Sequence, residues 1–298
     1  MKKWFLFLFI SMISTAVFAQ RNIGAGVSLN NNNNGQSEAV SGYVGVNGIN
    51  MYYETYGSNE NPPLLMIHGN GGSTESFSKQ IRAFSKKYFV ILADSRAQGK
   101  TNNTADTLSY EMMTSDYNLL LEQLDIDSVY LIGHSDGGII GLMLAMYHPE
   151  KVKRMVIIGA NLWPDTSAVS PKGIGWAHDE YARLQDSVRA GKKQYANELL
   201  LTRLLLNAPH IDPEDLQNIQ IPVLVMCGDH DIIQLQHTIY IYEHLPMAQL
   251  SIIPGSSHFI PQTQPAIFNN VAARFLIRPF ENPDMFYGMD GVGGEEDN

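Results

Sequence analysis

The stretch Val129-Tyr130-Leu131-Ile132-Gly133-His134-Ser135-Asp136-Gly137-Gly138 decides the fold. Its first four residues form an apolar run suited to a buried strand, and a helical pattern begins near Gly138. Between them, Gly133 to Gly137 fits G-x-S-x-G, a pattern that carries chemistry only on a sharp strand-to-helix turn. Such a turn crowds the backbone, so the positions two before and two after the serine favour residues without a Cβ. It also lifts the serine hydroxyl to a helix N-terminus, where main-chain N–H groups have no intrahelical partner. The candidate nucleophile is therefore Ser135.

The alternation of strand and helix extends outward in both directions. Tyr43–Val46 and Asn50–Tyr56 read as an antiparallel pair. Leu64–Ile67, Val90–Ala93, Ser128–Ile132, Met155–Ile158, Val223–Cys227 and Leu250–Ile253 read as buried strands. Ser76–Lys87, Glu111–Leu124 and Ile139–Tyr147 read as helices. This order predicts a mostly parallel, eight-stranded α/β sheet with helices on both faces, built from 43–160 and 220–278. The rhythm breaks over 161–219, where no strand is evident but Trp176–Arg189 and Tyr195–Leu206 are amphipathic. An insertion between two core strands predicts a small helical lid. Its Trp163, Trp176 and Tyr181 either line a substrate pocket or pack the lid onto the core.

A serine hydroxyl attacks only when an imidazole takes its proton, and the imidazole needs a carboxylate to orient it and stabilise its charged form. Two strand ends offer these groups. Val223–Cys227 leads into Gly228-Asp229-His230-Asp231, and Leu250–Ile253 leads into Pro254-Gly255-Ser256-Ser257-His258. The order Ser135, Asp231, His258 suits a triad on this type of sheet. Singly, His258 could be a surface histidine and Asp231 the N-cap of a helix beginning near Ile232; Asp229 competes with Asp231 for the orienting role. The oxyanion needs two main-chain donors. Asp136, following the nucleophile, supplies one, and Asn70 in the loop His68-Gly69-Asn70-Gly71-Gly72-Ser73 supplies the other. That glycine run lacks the G-x-x-x-x-G-K-[ST] lysine of a phosphate cradle.

Over 43–277 these features resemble the α/β-hydrolase family: the His68–Gly72 loop is like its oxyanion loop, and Asp94-Ser95-Arg96-Ala97-Gln98-Gly99-Lys100-Thr101 is like its D-x-R-G-x-G-x-S turn, departing at Ala97 and Thr101. The resemblance implies the α/β-hydrolase fold. Ser135-Asp136-Gly137-Gly138, Tyr147-His148-Pro149 and Ile157-Ile158-Gly159-Ala160-Asn161 look more narrowly like the valacyclovir hydrolase (biphenyl hydrolase-like) group. That likeness implies that Asp136 binds a substrate α-ammonium. The competing role turns its carboxylate toward the helix N-terminus or toward donors from the lid. Trp163 and Phe259 complete the candidate substrate contacts, with Phe259 either touching the acyl group or anchoring its loop.

The rest of the chain narrows the class. A net charge of -10 argues against nucleic acid as a partner. Lys2-Lys3, the apolar run from Trp4 and Val17-Phe18-Ala19 look like a signal peptide over 1–19, predicting export to the periplasm or beyond, with no stable membrane insertion of the mature protein. An Asn-rich leader over 20–42 and an acidic tail over 279–298 flank the core. Cys227, the single cysteine, precludes an intramolecular disulfide, and no histidine spacing demands a metal. The expectation is a cofactor-free serine hydrolase acting on ester bonds of small molecules, most simply a carboxylesterase. Lactonase, C–C hydrolase, peptidase, haloperoxidase or acyltransferase chemistry could use the same triad. A ligand-binding receptor on this fold would differ by failing to turn over.

Overall fold

The structure, a computed structural model, describes residues 39–283. The expected signal peptide, most of the leader and tail residues 284–298 lie outside the described residues. In chain order the elements are β1 (Val40–Val46), β2 (Ile49–Tyr56), β3 (Pro63–Ile67), α1 (Ser78–Phe84), β4 (Phe89–Ala93), α2 (Tyr110–Gln123), β5 (Val129–His134), α3 (Asp136–Tyr147), β6 (Val152–Ile158), α4 (Pro171–Arg189), α5 (Ala196–Asn207), β7 (Val223–Gly228), α6 (Leu235–His244), β8 (Ala248–Ile253), α7 (Ile260–Thr263) and α8 (Pro265–Ile277). The eight strands form one sheet in the order β1-β2-β4-β3-β5-β6-β7-β8. β1 and β2 are antiparallel to each other, as β2 is to β4, and the remaining pairs are parallel.

The central strands read as continuous apolar runs because both faces are covered. Successive side chains of a strand point to opposite faces, and here they enter two separate cores. Leu65, Ile67, Ile91, Leu131, Met155, Ile157 and Val225 pack with residues of α2, α3 and α6. Their neighbours Leu64, Met66, Leu92, Ile132, Val156, Ile158 and Met226 pack with Phe84 of α1, Ile260 of α7 and Phe268 and Phe275 of α8. Each core therefore draws on every second residue of the same five strands. The sheet's C-terminal edge is fixed from both sides, which holds the loops that leave it.

Between β6 and β7 lie α4, α5 and a short 3-10 turn over Pro213–Asn218. α4 starts at Ser170, whose side chain accepts from Gly173 N, with Pro171 in the first turn. It buries only Ala177 and Leu184. Leu201 and Leu204 of α5, with Ile211, Leu216 and Ile219, join the larger core. The segment is thus anchored through its second half. Among the described residues no helix is long and apolar enough to cross a membrane. Of the boundaries that differ from expectation, two have a direct cause in the contacts. β1 starts at Val40, inside the span read as leader, because pairing with β2 down to Thr55 orders it. The helix expected near Ile232 starts at Leu235, because Ile233 bridges to Val169.

Candidate active site

The site is built at the ends of β3, β5, β7 and β8. Ser135 sits between β5 and α3 at φ 55°, ψ −118°, a left-handed conformation that costs about 1–3 kcal/mol and persists only where neighbours enforce it. A Cβ on Gly133 would stand 2.2 Å from Gly137 O, and one on Gly137 would stand 2.0 Å from Ile67 O. The two glycines of the motif are therefore required by contact, as the turn argument expects. Ser135 N donates to Ile158 O at 2.7 Å, tying the turn to β6.

The loop after β3 lies directly against this turn. A Cβ on Gly69 would come within 2.9 Å of Ser135 Cβ. Gly71 N donates to Gln98 Oε1 at 2.6 Å and Gly72 N to Gly69 O at 3.0 Å. His68 braces the loop: its Nδ1 bonds Gly69 O at 2.7 Å and its Nε2 accepts from Ser95 N at 3.0 Å. Accepting at Nε2 leaves the proton on Nδ1, and burial lowers the ring's pKa below the ordinary histidine value despite Gly69 O and Asp94. No hydrogen bond engages the main-chain N–H of Asn70 or Asp136 among the described residues. These are the two donors expected for an oxyanion.

At the far strand ends, His258 Nδ1 lies 2.7 Å from Asp231 Oδ1, and both side chains are buried, 4% and 1% exposed. Burial alone would raise Asp231; the hydrogen bond and charge of His258, with the N–H groups of Ile233 and Gly228, outweigh it and hold the carboxyl below its usual range. Asp229 points elsewhere. It accepts from Gly255 N and Ser256 N at 3.0 Å each and bonds the exposed His230 at 2.9 Å. Those bonds, His230 first, draw its carboxyl down to about 2. Asp229 thus braces the loop that carries His258, while Asp231 contacts the imidazole. Gly159, at φ 61°, gives the ring room, since a Cβ there would meet His258 Nδ1 at 2.7 Å.

His258 and the turn meet through His134. The two rings are 4.9 Å apart and His134 Nε2 bonds His258 O at 2.8 Å. Burial, then the nearby His258, push His134 down to about 3. Among the described residues neither Ser135 Oγ nor His258 Nε2 has a hydrogen-bond partner, and neither is among the buried unpartnered atoms, so nothing there closes off either one. Resting pairs of this kind are often loose and tighten when substrate fills the site.

Comparison with known proteins bears on the fold. A family profile described as alpha/beta hydrolase fold matches residues 62–206. The putative carbamate hydrolase RutD of Caulobacter sp. (strain K31) is 26% identical over 255 residues, covering 76% of this chain and 95% of that protein. Human serine hydrolase BPHL is 26% identical over 262 residues, covering 80% of this chain and 87% of that protein. Among solved structures, the enol-lactonase of Burkholderia xenovorans LB400 superposes with a TM-score of 0.66 at 18% identity, covering 80% of this chain and all (100%) of that one. The chain has the α/β-hydrolase fold.

In this hydrolase the Asp136 carboxylate is 2% exposed and its oxygens are engaged: Oδ2 accepts from Asn70 Nδ2 and Oδ1 from Tyr110 OH, both at 2.9 Å. Burial raises its pKa above the ordinary aspartate value, a shift that the Asn70 and Tyr110 bonds reduce. Trp163, a candidate substrate contact, instead packs edge-on against His237 (4.7 Å) and Tyr240 of α6 (5.8 Å), with Nε1 donating to Ser167 Oγ. Its ring contacts fit the packing role weighed for it. Phe259 is 55% exposed beside His258 and His134, so it borders the site. Trp176 is 61% exposed. The D-x-R-like segment is a braced turn: Asp94 accepts from Thr74 N and Lys100 N at 2.7 Å each, and Arg96 is paired with Asp116 in full burial. Ala97 takes φ 66°, a value at which glycine is the easier residue. Sequence reasoning gave no role to Tyr110, His134 or Gly159, which act through tertiary contacts; His134, inside the G-x-S-x-G motif, and Gly159, inside the Ile157–Asn161 stretch, carried a local signal, and Tyr110 carried none.

Proposed function

We propose that this α/β hydrolase cleaves ester-type bonds of small molecules through an acyl-enzyme, with Ser135 as nucleophile, His258 as general base and Asp231 as the group that orients it. The observation that carries the reading is the buried 2.7 Å Asp231–His258 pair, joined through His134 to the turn that holds Ser135 at φ 55°. With Nδ1 bonded to Asp231, Nε2 is the nitrogen left to take the Ser135 proton. Attack forms the Ser135 Oγ–acyl carbon bond and places the oxyanion between the N–H groups of Asn70 and Asp136. His258 then returns the proton to the departing alcohol, and a water activated by His258 releases the acid. The two main-chain donors supply transition-state stabilisation of about 3 kcal/mol each by mutational precedent.

The test is a fluorophosphonate probe followed by a panel of chromogenic esters. Labelling and turnover that disappear in Ser135→Ala support the reading; turnover that persists in that variant refutes it. Esters with free and acetylated α-amino groups address Asp136. Because its oxygens already accept from Asn70 and Tyr110, we assign that carboxylate to the oxyanion loop, and the expected outcome is no preference for the free amine. The same reading takes the chain to be exported, supported by the 1–19 pattern; an N-terminus at Gln20 in protein recovered from the producing cell would bear this out.

A further inference from the structure

We propose that the Asn70 side chain is a positioning residue that sets the width of the oxyanion hole by tying together the two main-chain segments that form it; the inference rests on the triad reading above. The two donor N–H groups belong to separate parts of the chain, the loop after β3 and the first turn of α3. Left alone, their spacing would be loose, because Gly69, Gly71 and Gly72 give that loop wide backbone freedom. The same two residues are joined by their own side chains: Asn70 Nδ2 donates to Asp136 Oδ2 at 2.9 Å. A bond to a carboxylate is stronger than one between neutral groups, so the link is a stiff one.

Two further bonds give it leverage. Tyr110 OH, from α2, donates to Asp136 Oδ1 at 2.9 Å, which fixes the acceptor. Asn70 Nδ2 also donates to Leu201 O of α5 at 3.3 Å. An amide nitrogen has two hydrogens, and here one reaches the nucleophile turn and the other the insertion between β6 and β7. The arrangement also accounts for a buried carboxylate next to developing negative charge. The start of α3, Asn70 and Tyr110 together compensate it, so no substrate cation is needed for that purpose.

The link acts on the transition state, in which the oxyanion draws closer to both donors, and so it should appear in kcat and leave KM nearly unchanged. Full-length chain carrying Asn70→Asp, Asp136→Asn, both together, or Tyr110→Phe is assayed on one chromogenic ester, with thermal melts in parallel. Each of the first two should lower kcat by about 10–100-fold, the scale of an ångström-sized misplacement, with KM within about threefold. The double variant rebuilds the bond with donor and acceptor exchanged, and should recover at least about tenfold over the worse single variant. A double variant no better than that single one, or losses that fall on KM, would overturn the proposal. If Asn70→Asp does not fold, Tyr110→Phe with Asn70→Ala decides: wild-type kcat in both overturns it, and a kcat-selective loss supports it. Ser135→Ala run alongside separates the two layers, since turnover there removes the triad reading itself, whereas a dead Ser135→Ala with unaffected link variants removes only the link.

Discussion

Gly69→Ala should cripple turnover without unfolding the protein. A methyl at residue 69 would sit 2.9 Å from Ser135 Cβ, 3.3 Å from His134 O and 3.4 Å from His134 Nδ1. Carbon atoms in contact settle at about 3.5–4.0 Å, so loop and turn must part by roughly 0.6 Å or more. Asn70, the next residue, carries the second oxyanion donor, and such donors work at about 2.7–3.1 Å from the oxyanion. Adding that displacement takes the donor to about 3.5 Å, where an N–H···O bond is largely lost. One oxyanion donor is worth about 2.7–4 kcal/mol, or about 10²–10³ in kcat. Sharing the strain between both segments puts the expected loss near the lower figure. The assay is stopped-flow acylation by a chromogenic ester, with the thermal midpoint followed alongside and Gly175→Ala, where a Cβ meets nothing within 4 Å, as the control. A folded Gly69→Ala protein that acylates at the wild-type rate would refute the placement of the oxyanion hole.

Three other outcomes follow from the same contacts. Asp231→Ala should lower kcat by about 10⁴-fold, as loss of the orienting carboxylate does elsewhere, while Asp229→Ala, which loosens only the 254–258 loop, should stay within about tenfold of wild type; equal losses in parallel kinetics would reverse the assignment. Asp116→Ala leaves the Arg96 guanidinium buried and unpaired, and a broken buried pair costs about 3–5 kcal/mol, so the denaturant midpoint should fall sharply; a midpoint unchanged from wild type would show that the pair contributes nothing. His134 and His237 are pushed by burial to about 3 and about 4, against about 6.5 in the unfolded chain. Between those values the unfolded chain binds more protons. Their stabilisation is therefore complete above about pH 6.5 and drains as pH falls toward about 4 for His237 and about 3 for His134, by up to about 1.4 kcal/mol per pH unit for each. Denaturant titrations from pH 7 to pH 4 check this, and a flat profile would contradict it.

The eight strands were legible because each central one is buried on both faces and must be apolar throughout; β3 and β7 stand as continuous apolar runs in the chain. Helix α8 was harder to see. It carries Phe268, Ala272, Phe275 and Leu276 at helical spacing but begins at Pro265 behind an N-cap, Gln264, that makes no side-chain bond. The choice between Asp229 and Asp231 could not be made locally, since both follow β7 within three residues; it depends on which carboxylate the returning β8 loop meets with a backbone N–H and which with an imidazole.

What the sequence determined alone was the set of short-range necessities: the glycines around Ser135, the strand periodicity and the order of the chemistry-bearing residues. These follow from sterics and side-chain direction within a few residues of chain. Tertiary structure decided which polar groups pair with which. Asp136 turns to Asn70 and Tyr110, and His134 to the carbonyl of His258. A buried polar atom takes whatever partner packing brings within about 3 Å, and that partner comes from a segment dozens of residues away, chosen by the sheet's topology.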